Sequence, residues 1–375
     1  MNMKKHMYAE QQLREKIGLQ KAGDLFPPEN ALAKELKVSV ATIRHAMERL
    51  SREGLLVRSQ GRRTTIGQDA ERRLAGNGGR TVLLLSCDEG PFYHEELVEV
   101  QNLLFRNGFI TSLCHLGGVA LHEAGAAEAL REVCRVHSDA VGMICGPIFG
   151  WYETVQAGLA EWSRPIVMLG STRPIPANYA AVNVGAGAYE ALRHLDQIGC
   201  KTIRFIGNLG HGFAWDRGSG IRQFVEEFSP DGGMEGFTIP ALGTVESGYS
   251  AAAREFEAHR VPDGILAHND LCAIGVLLAA KKCGVRIPED VALAGFDGIA
   301  RAAVVKPPLT TVEQPKLQVA AEAVRIMKEL LSPGDVSLRH QVLLQPRLVL
   351  RESTMAYGGG GWRAAVAAES ESSQR

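Results

Sequence analysis

The sequence predicts an α/β protein in two unequal parts: a small basic N-terminal module of helices closed by a β-hairpin, then a larger body built on two parallel sheets. Three observations carry that prediction. Short apolar runs such as Val82-Leu83-Leu84-Leu85, Ile265-Leu266-Ala267 and Val291-Ala292-Leu293-Ala294 alternate with helical patterns, as strands covered on both faces by crossover helices do. Charge is divided, with 13 Lys+Arg against 7 Asp+Glu in residues 1–68 (+6), leaving 28 against 35 (−7) in the rest of a chain of net charge −1. The stretch between them, Gln-Asp-Ala-Glu-Arg-Arg-Leu-Ala-Gly-Asn-Gly-Gly, is charged and then Gly-rich, the composition of a hinge.

Composition narrows the function classes. At 375 residues, 45% hydrophobic and 22% charged, the chain has room for two or three ordinary cores. No apolar run approaches the roughly 20 residues that span a bilayer, and the N-terminus lacks the apolar centre of a secretory signal. A cytoplasmic protein with no membrane partner is expected. Seven cysteines without a C-x-x-C pair point to reduced thiols, not to a disulfide framework or a zinc site. No metal and no cofactor are expected.

In the basic module, Leu13 and Ile17 sit at helical spacing over residues 7–21, and a second helix runs near Asn30 to Leu36. Ser39 is placed to cap a third helix, Val40 to about Arg52, with Ile43, Ala46, Met47 and Leu50 on one face. Gly54 stops it. Leu55 to Arg58 and Thr64 to Ile66 then read as two short strands around a basic turn. This order is that of a winged helix-turn-helix, whose recognition helix enters the major groove of DNA while the wing touches the backbone or minor groove.

The segment PPENALAKELKVSVATIRHAMERLSREGLLVRSQGRRTTI resembles the GntR-type winged-helix domain along nearly its whole length. The proline before the second helix, the V-S-x-x-T-I-R entry to the third, its L-x-x-E-G-L-L exit and the glycine-led wing carry the likeness. The resemblance implies DNA contacts from Asn30, Ser39, Val40, Thr42, Arg44, His45, Gln60, Gly61, Arg62 and Arg63. Asn30 and Val40 stand where that family commonly has arginine, so contacts there are changed, and Arg62 and Arg63 offer compensation from the wing. Read without the family, Arg44 is equally a solvated charge on a helix face.

From Thr81 the strands follow in order: Val82 to Leu85, Ala140 to Ile144, Ile166 to Leu169, Thr202 to Ile206, Ile265 to Ala267 and Val291 to Ala294. Helical stretches such as Gly187 to Ile198 and Ile221 to Phe228 separate them. His268, Asn269 and Asp270 follow one strand and Phe296 and Asp297 another, at the sheet edge where open α/β folds bind ligands. Asn269 also suits a helix cap, and the local pattern leaves both roles open.

The motifs H-N-D-L-x-A-I-G-V, G-V-x-I-P-E-D-V-A-L-A-G-F-D, P-P-L-T-T-V-E-Q-P and L-V-L-R-E-S-T resemble the effector-binding domain of LacI-type repressors, related in fold to periplasmic sugar-binding proteins. That likeness covers about residues 80–355. It implies two lobes crossed near Ala181 to Val184 and Thr310 to Gln314, with the helix from Lys316 to Leu331 returning to the first lobe and Val342 to Arg351 completing the second. The expected organisation is therefore 1–67 DNA-binding module, 68–80 linker, 81–355 two-lobed effector-binding and dimerisation domain, and 356–375 a disordered tail.

By position in the same family, Arg217, Asn269 and Asp297 are expected to contact the effector; Asp88, Phe92 and Tyr93 in the first lobe either complete the site, the two rings stacking on the apolar face of a sugar, or belong to the core. Arginine's fork of donors beside amide and carboxylate acceptors suits a polyhydroxylated ligand, foremost a sugar. Arg217 equally suits an ion pair with Asp216, and Trp151 and Trp215 are either core or ligand wall. Gly170-Ser171 stands where many sugar-binding relatives have aspartate, which leaves a modified sugar, a nucleoside or no small effector as alternatives.

The chain is thus expected to be a DNA-binding transcriptional regulator, a repressor acting as a homodimer on double-stranded operator DNA under control of a small molecule. The alternatives are an effector-independent dimeric regulator and an α/β enzyme. The second has little support, because the sequence carries no G-x-S-x-G, G-x-x-x-x-G-K-[ST] or H-E-x-x-H motif.

Overall fold

The computed structural model describes residues 2–58, 63–68, 70, 80–86, 91–116, 125–146, 157–170, 176–209, 213–228, 236–332 and 339–355. The expected wing tip (59–62), most of the expected linker and the expected tail 356–375 lie outside the described residues. None of the described helices is long and apolar enough to cross a membrane.

The head is three helices and a hairpin. Helices α1 (Asn2–Gly18), α2 (Glu29–Leu36) and α3 (Val40–Arg52) precede β1 (Leu56–Val57) and β2 (Thr65–Ile66), which pair antiparallel as Leu56↔Ile66 and Val57↔Thr65. The predicted face of α3 is the buried one: Ile43, Ala46, Met47 and Leu50 meet Leu13, Ile17, Leu32, Leu56 and Ile66 in one core. Ser39 caps α3 as its sequence position implies, accepting from the Thr42 amide at 3.1 Å. Between α2 and α3 the chain turns through Lys37 at φ 52°, a left-handed end to α2 whose amide bonds Ala33 O.

The body has two six-stranded sheets. The first runs β13-β7-β6-β5-β3-β4, parallel throughout, from β3 (Thr81–Ser86), β4 (Ile110–His115), β5 (Gly142–Cys145), β6 (Ile166–Leu169), β7 (Asn178–Val182) and β13 (Gln341–Leu344). Its strands explain the unbroken apolar run at the start of the body. Val82 and Leu84 pack with helices α4 (Pro91–Arg106) and α10 (Lys316–Leu331) on one face, and Leu83 and Leu85 with Ala126, Leu130 and Leu159 on the other.

The second sheet runs β14-β12-β11-β10-β8-β9, from β8 (Ile203–Gly207), β9 (Thr238–Pro240), β10 (Gly264–Ala267), β11 (Ala292–Asp297), β12 (Thr310–Glu313) and β14 (Arg347–Val349). It is parallel except for β14, which lies antiparallel to β12. Ile265 and Ala267 share a core with helices α8 (Val245–Glu257) and α9 (Asp270–Cys283) on one face. Leu266 points to the other, against α6 (Val184–Gln197) and α7 (Phe213–Phe228).

Three segments cross between the lobes: Asn183, Gln314-Pro315 and Gln345-Pro346. The first two lie where expected, and α10 does return to the first lobe. The expectation for Val342 to Arg351 is corrected. Its first half, β13, pairs with β7 in the first lobe, and only β14 belongs to the second, because Gln345-Pro346 is itself a crossing. The Asn183 amide bonds Leu344 O at 2.8 Å, tying two crossings side by side.

A buried polar clasp fixes the chain end against the second sheet. Ser353 Oγ accepts from the Thr310 amide at 2.8 Å and donates to Leu293 O at 2.6 Å, while Thr354 and Thr310 share a 2.8 Å hydroxyl bond.

Candidate functional site

The head presents one candidate surface. Asn30, Ser39, Arg44, His45 and Arg63 are exposed and Val40 half-exposed, at the start of α2, the start of α3 and the base of the wing. Gln60, Gly61 and Arg62 lie outside the described residues. Thr42 differs from the expectation of an outward contact: it is 8% exposed, and its hydroxyl meets Ser39 Oγ at 2.8 Å. It builds the cap instead.

Glu29 is the residue the sequence reading missed here. Its carboxylate holds Arg44 of α3 at 2.9 Å and Arg58 beside the wing at 2.6 Å. Recognition helix, α2 and wing are thereby tied at one carboxylate, and the two arginines point to the same place. The carboxylate thus partly neutralises Arg44, an expected DNA contact, and Arg58, which the sequence reading did not name.

The second candidate site forms at the carboxyl edge of the second sheet. Glycines decide its geometry. A Cβ at Gly220 would lie 2.7 Å from the Gly185 carbonyl carbon, so α7 approaches α6 more closely than any side chain allows. That approach seats Arg217, three residues earlier on α7, over the core with only 7% exposure.

The Arg217 guanidinium stacks 3.9 Å above the Phe296 ring. Its Nη2 lies 3.7 Å from Asp297 Oδ1, and Nη1 donates to the His268 carbonyl. Burial pushes its pKa down from the ordinary arginine value, while Asp297, Tyr93 and Asp270 favour its charged form. The alternative partner, Asp216, has no described side chain. Tyr93, on α4 of the first lobe, packs against the second lobe's core across the junction.

Arg217 and Asp297 thus stand together at the sheet edge, with Tyr93 of the first lobe against the same lobe's core. Asp88 and the side chains of Phe92, Trp151 and Trp215 lie outside the described residues. Asn269 takes the capping role: Oδ1 accepts from the Cys272 amide at 2.9 Å and Nδ2 donates to Gly243 O at 3.0 Å. Each group keeps one further hydrogen-bonding position.

Four residues near the site were not among the predicted contacts. Phe296 is the floor. Gln314, in a crossing segment, donates to Asp297 Oδ1 at 2.9 Å and so links the hinge to the site carboxylate. Asp270 is fully buried beneath them, accepting from Thr311 Oγ1 at 2.6 Å and the Ile299 amide at 2.8 Å. Burial, and then the Asp297 charge, push its carboxyl up to about 7. His268 is pushed down to about 3 by burial and by Arg217, so its imidazole is neutral. Each of these ties joins residues far apart in the chain, and only adjacency to a strand end marked them in the sequence.

A winged DNA-binding head on a two-lobed body, with an arginine, a carboxylate and rings gathered at the lobe junction, defines the class: a DNA-binding regulator with a ligand-sensing body. Comparison with known proteins agrees. Residues 8–66 match the model of bacterial regulatory proteins of the gntR family, and residues 192–354 match that of the periplasmic binding protein-like domain. The chain is 31% identical over 288 residues to the HTH-type transcriptional repressor PurR of Haemophilus influenzae, spanning 72% of this chain and 80% of that one. It is 28% identical over 331 residues to the ribose operon repressor of Halalkalibacterium halodurans, spanning 86% and 96%.

Among solved structures, a LacI family transcriptional regulator from Arthrobacter sp. FB24 aligns with TM-score 0.60 at 27% identity, covering 73% of this chain and 99% of that one. The chain belongs to this family of bacterial transcriptional regulators, with a gntR-type head on a periplasmic-binding-protein-like, LacI-type body.

Proposed function

We propose that the protein is a dimeric repressor whose affinity for operator DNA is set by a neutral sugar bound between the lobes. One observation carries the reading: Arg217 is held over Phe296 beside Asp297, with Tyr93 of the opposite lobe packed against the same lobe core. A sugar offers hydroxyls to the guanidinium and carboxylate and an apolar ring face to the aromatic groups. The Halalkalibacterium relative is a ribose operon repressor, and the Arthrobacter structure is a complex with lactose, which makes D-ribose and lactose the first ligands to test.

The sensing step follows from lobe geometry. A ligand between Tyr93 and Arg217 binds the closed arrangement more tightly than an open one, and only that difference in affinity shifts the equilibrium. The Gln314–Asp297 bond supports a route from the site to the crossing segments and so to the heads. DNA recognition is assigned to Asn30, Ser39, Val40, Arg44, His45 and the wing from Gln60 to Arg63. For dimerisation, Val98 and Phe105 on α4 and Leu113 on the edge strand β4 leave large apolar side chains exposed on one flank of the first lobe. Operator binding places the protein's work in the cytoplasm.

Thermal unfolding with D-ribose and with lactose tests the reading. A ligand at about 100 times its Kd adds roughly 2.7 kcal/mol of stability, and Arg217→Ala abolishes that gain. A shift that survives the substitution removes Arg217 from the site.

A further inference from the structure

His268 is half-buried as a residue, but its Nδ1 is fully buried. Along β10 the side chains alternate, Ile265 and Ala267 toward α8 and α9 and Leu266 toward α6 and α7, so the next residue in register falls on the α7 side beneath Arg217. Its amide continues the ladder to Ile206 O at 2.8 Å, and its carbonyl receives Arg217 Nη1. Two glycines clear the room for the ring. A Cβ on Gly207 would lie 3.0 Å from His268 Cβ, and one on Gly243 would lie 3.0 Å from His268 Cδ2.

Within this built space two buried hydrogen-bonding atoms have no partner among the described residues: His268 Nδ1 and Arg217 Nε. They belong to residues already joined, since the Arg217 side chain donates to the His268 backbone carbonyl. Buried polar atoms are nearly always paired, and leaving two unpaired on residues in contact is costly unless something arrives to pair them.

We infer that His268 is a specificity-determining residue, and that its Nδ1 and Arg217 Nε together read one hydroxyl of a neutral polyhydroxylated ligand. The inference rests on the sugar-effector reading above and adds which chemistry the site selects. Arg217 Nε–H can only donate, so the ligand atom it meets must accept. The imidazole is neutral, because burial and the Arg217 charge hold its pKa far below the physiological range. With the proton on Nε2, Nδ1 accepts and the same ligand atom must also donate. A hydroxyl does both. A carboxylate or phosphate oxygen at pH 7 satisfies Nε–H but has no proton for Nδ1 in this tautomer, and in either tautomer Asp297 repels it.

The test is titration calorimetry of the full-length protein with D-ribose and with lactose, then with each monodeoxy form of whichever sugar binds. One deoxy form binds the wild type about ten- to a hundredfold more weakly than the parent sugar, the loss expected when a buried pair is left unmade. In His268→Leu the parent sugar itself weakens, and that deoxy form binds as well as the parent. His268→Asn keeps an amide group near the place of Nδ1 and retains the discrimination. Should His268→Leu fail to fold, His268→Ala against His268→Asn supplies the same comparison. The inference is overturned if the leucine or alanine variant keeps the wild-type loss for every deoxy form. If neither sugar binds the wild type, the sugar-effector reading fails and this inference falls with it, whereas binding with an unchanged deoxy pattern overturns the inference alone.

Discussion

Gly220→Ala tests whether close helix packing is what places the sensing arginine. The added Cβ would sit 2.7 Å from the Gly185 carbonyl carbon and 3.1 Å from the Tyr189 amide, both backbone atoms that no rotamer change can move. Comfortable carbon–carbon separation is about 3.5 Å or more, so α7 must move away from α6 by roughly 1 Å. Overpacking of this kind costs about 1–3 kcal/mol, a drop of several degrees in Tm. The same shift lifts Arg217 from Phe296 and from the His268 carbonyl. Charge-assisted hydrogen bonds contribute about 1.5–3 kcal/mol, so effector affinity should fall by about ten- to a hundredfold. Thermal unfolding gives the first number and calorimetric titration the second. If the variant unfolds at the wild-type temperature and binds effector normally, the Gly185–Gly220 contact does not set the site.

Three further predictions follow from other parts of the molecule. Ser353→Ala leaves the Thr310 amide and the Leu293 carbonyl without their buried partner and should cost about 2–4 kcal/mol, read by urea unfolding. Glu29→Gln removes the charge that holds Arg44 and Arg58, so binding to random duplex should tighten and the slope of log K against log salt should steepen by about one to two, measured by fluorescence anisotropy. Asp270 has its folded pKa raised from 3.8 to about 7, so only the native state holds its proton between those values. That contribution to stability is full below the unfolded value and is lost as pH rises through about 7. Between about pH 4.5 and about pH 6.5 the wild type should therefore lose up to about 1.4 kcal/mol per pH unit more than Asp270→Asn, in urea unfolding at a series of pH values.

The sequence made some elements plain for physical reasons that the structure repeats. Val82 to Leu85 is apolar at every position because helices cover both faces of its sheet, and α3 begins where Ser39 caps it. Other elements gave weak signals. Strand β4 lies at a sheet edge and alternates Thr, Ser, Cys and His with only two large apolar residues, so no buried run marks it. Strand β7 is buried through small residues, Ala180 and Ala181, which carry little strand preference.

Helix α7 starts at Phe213, two turns before the expected Ile221, because Gly218 and Gly220 disfavour a helix locally while packing against α6 requires the second of them. Crossings are equally hard to read, and the split at Gln345-Pro346 appears only once β13 and β14 are seen in different sheets. At the site, motif position placed Arg217 and Asp297 together, but the Gln314, Asp270 and His268 contacts join residues 17 to 51 positions apart and left no local pattern.

The central claim, an operator-binding head governed by a sugar in the body, is tested most directly by anisotropy titration of the full-length protein on the DNA upstream of its own gene and on random duplex, at near-physiological salt, with and without D-ribose or lactose. The account predicts binding to the upstream DNA at least about a thousandfold tighter than to random duplex, and a change of about tenfold or more when one of the sugars is added, within the ordinary range of coupling between two sites. Equal affinity for the two duplexes, or operator affinity that neither sugar alters, would contradict it.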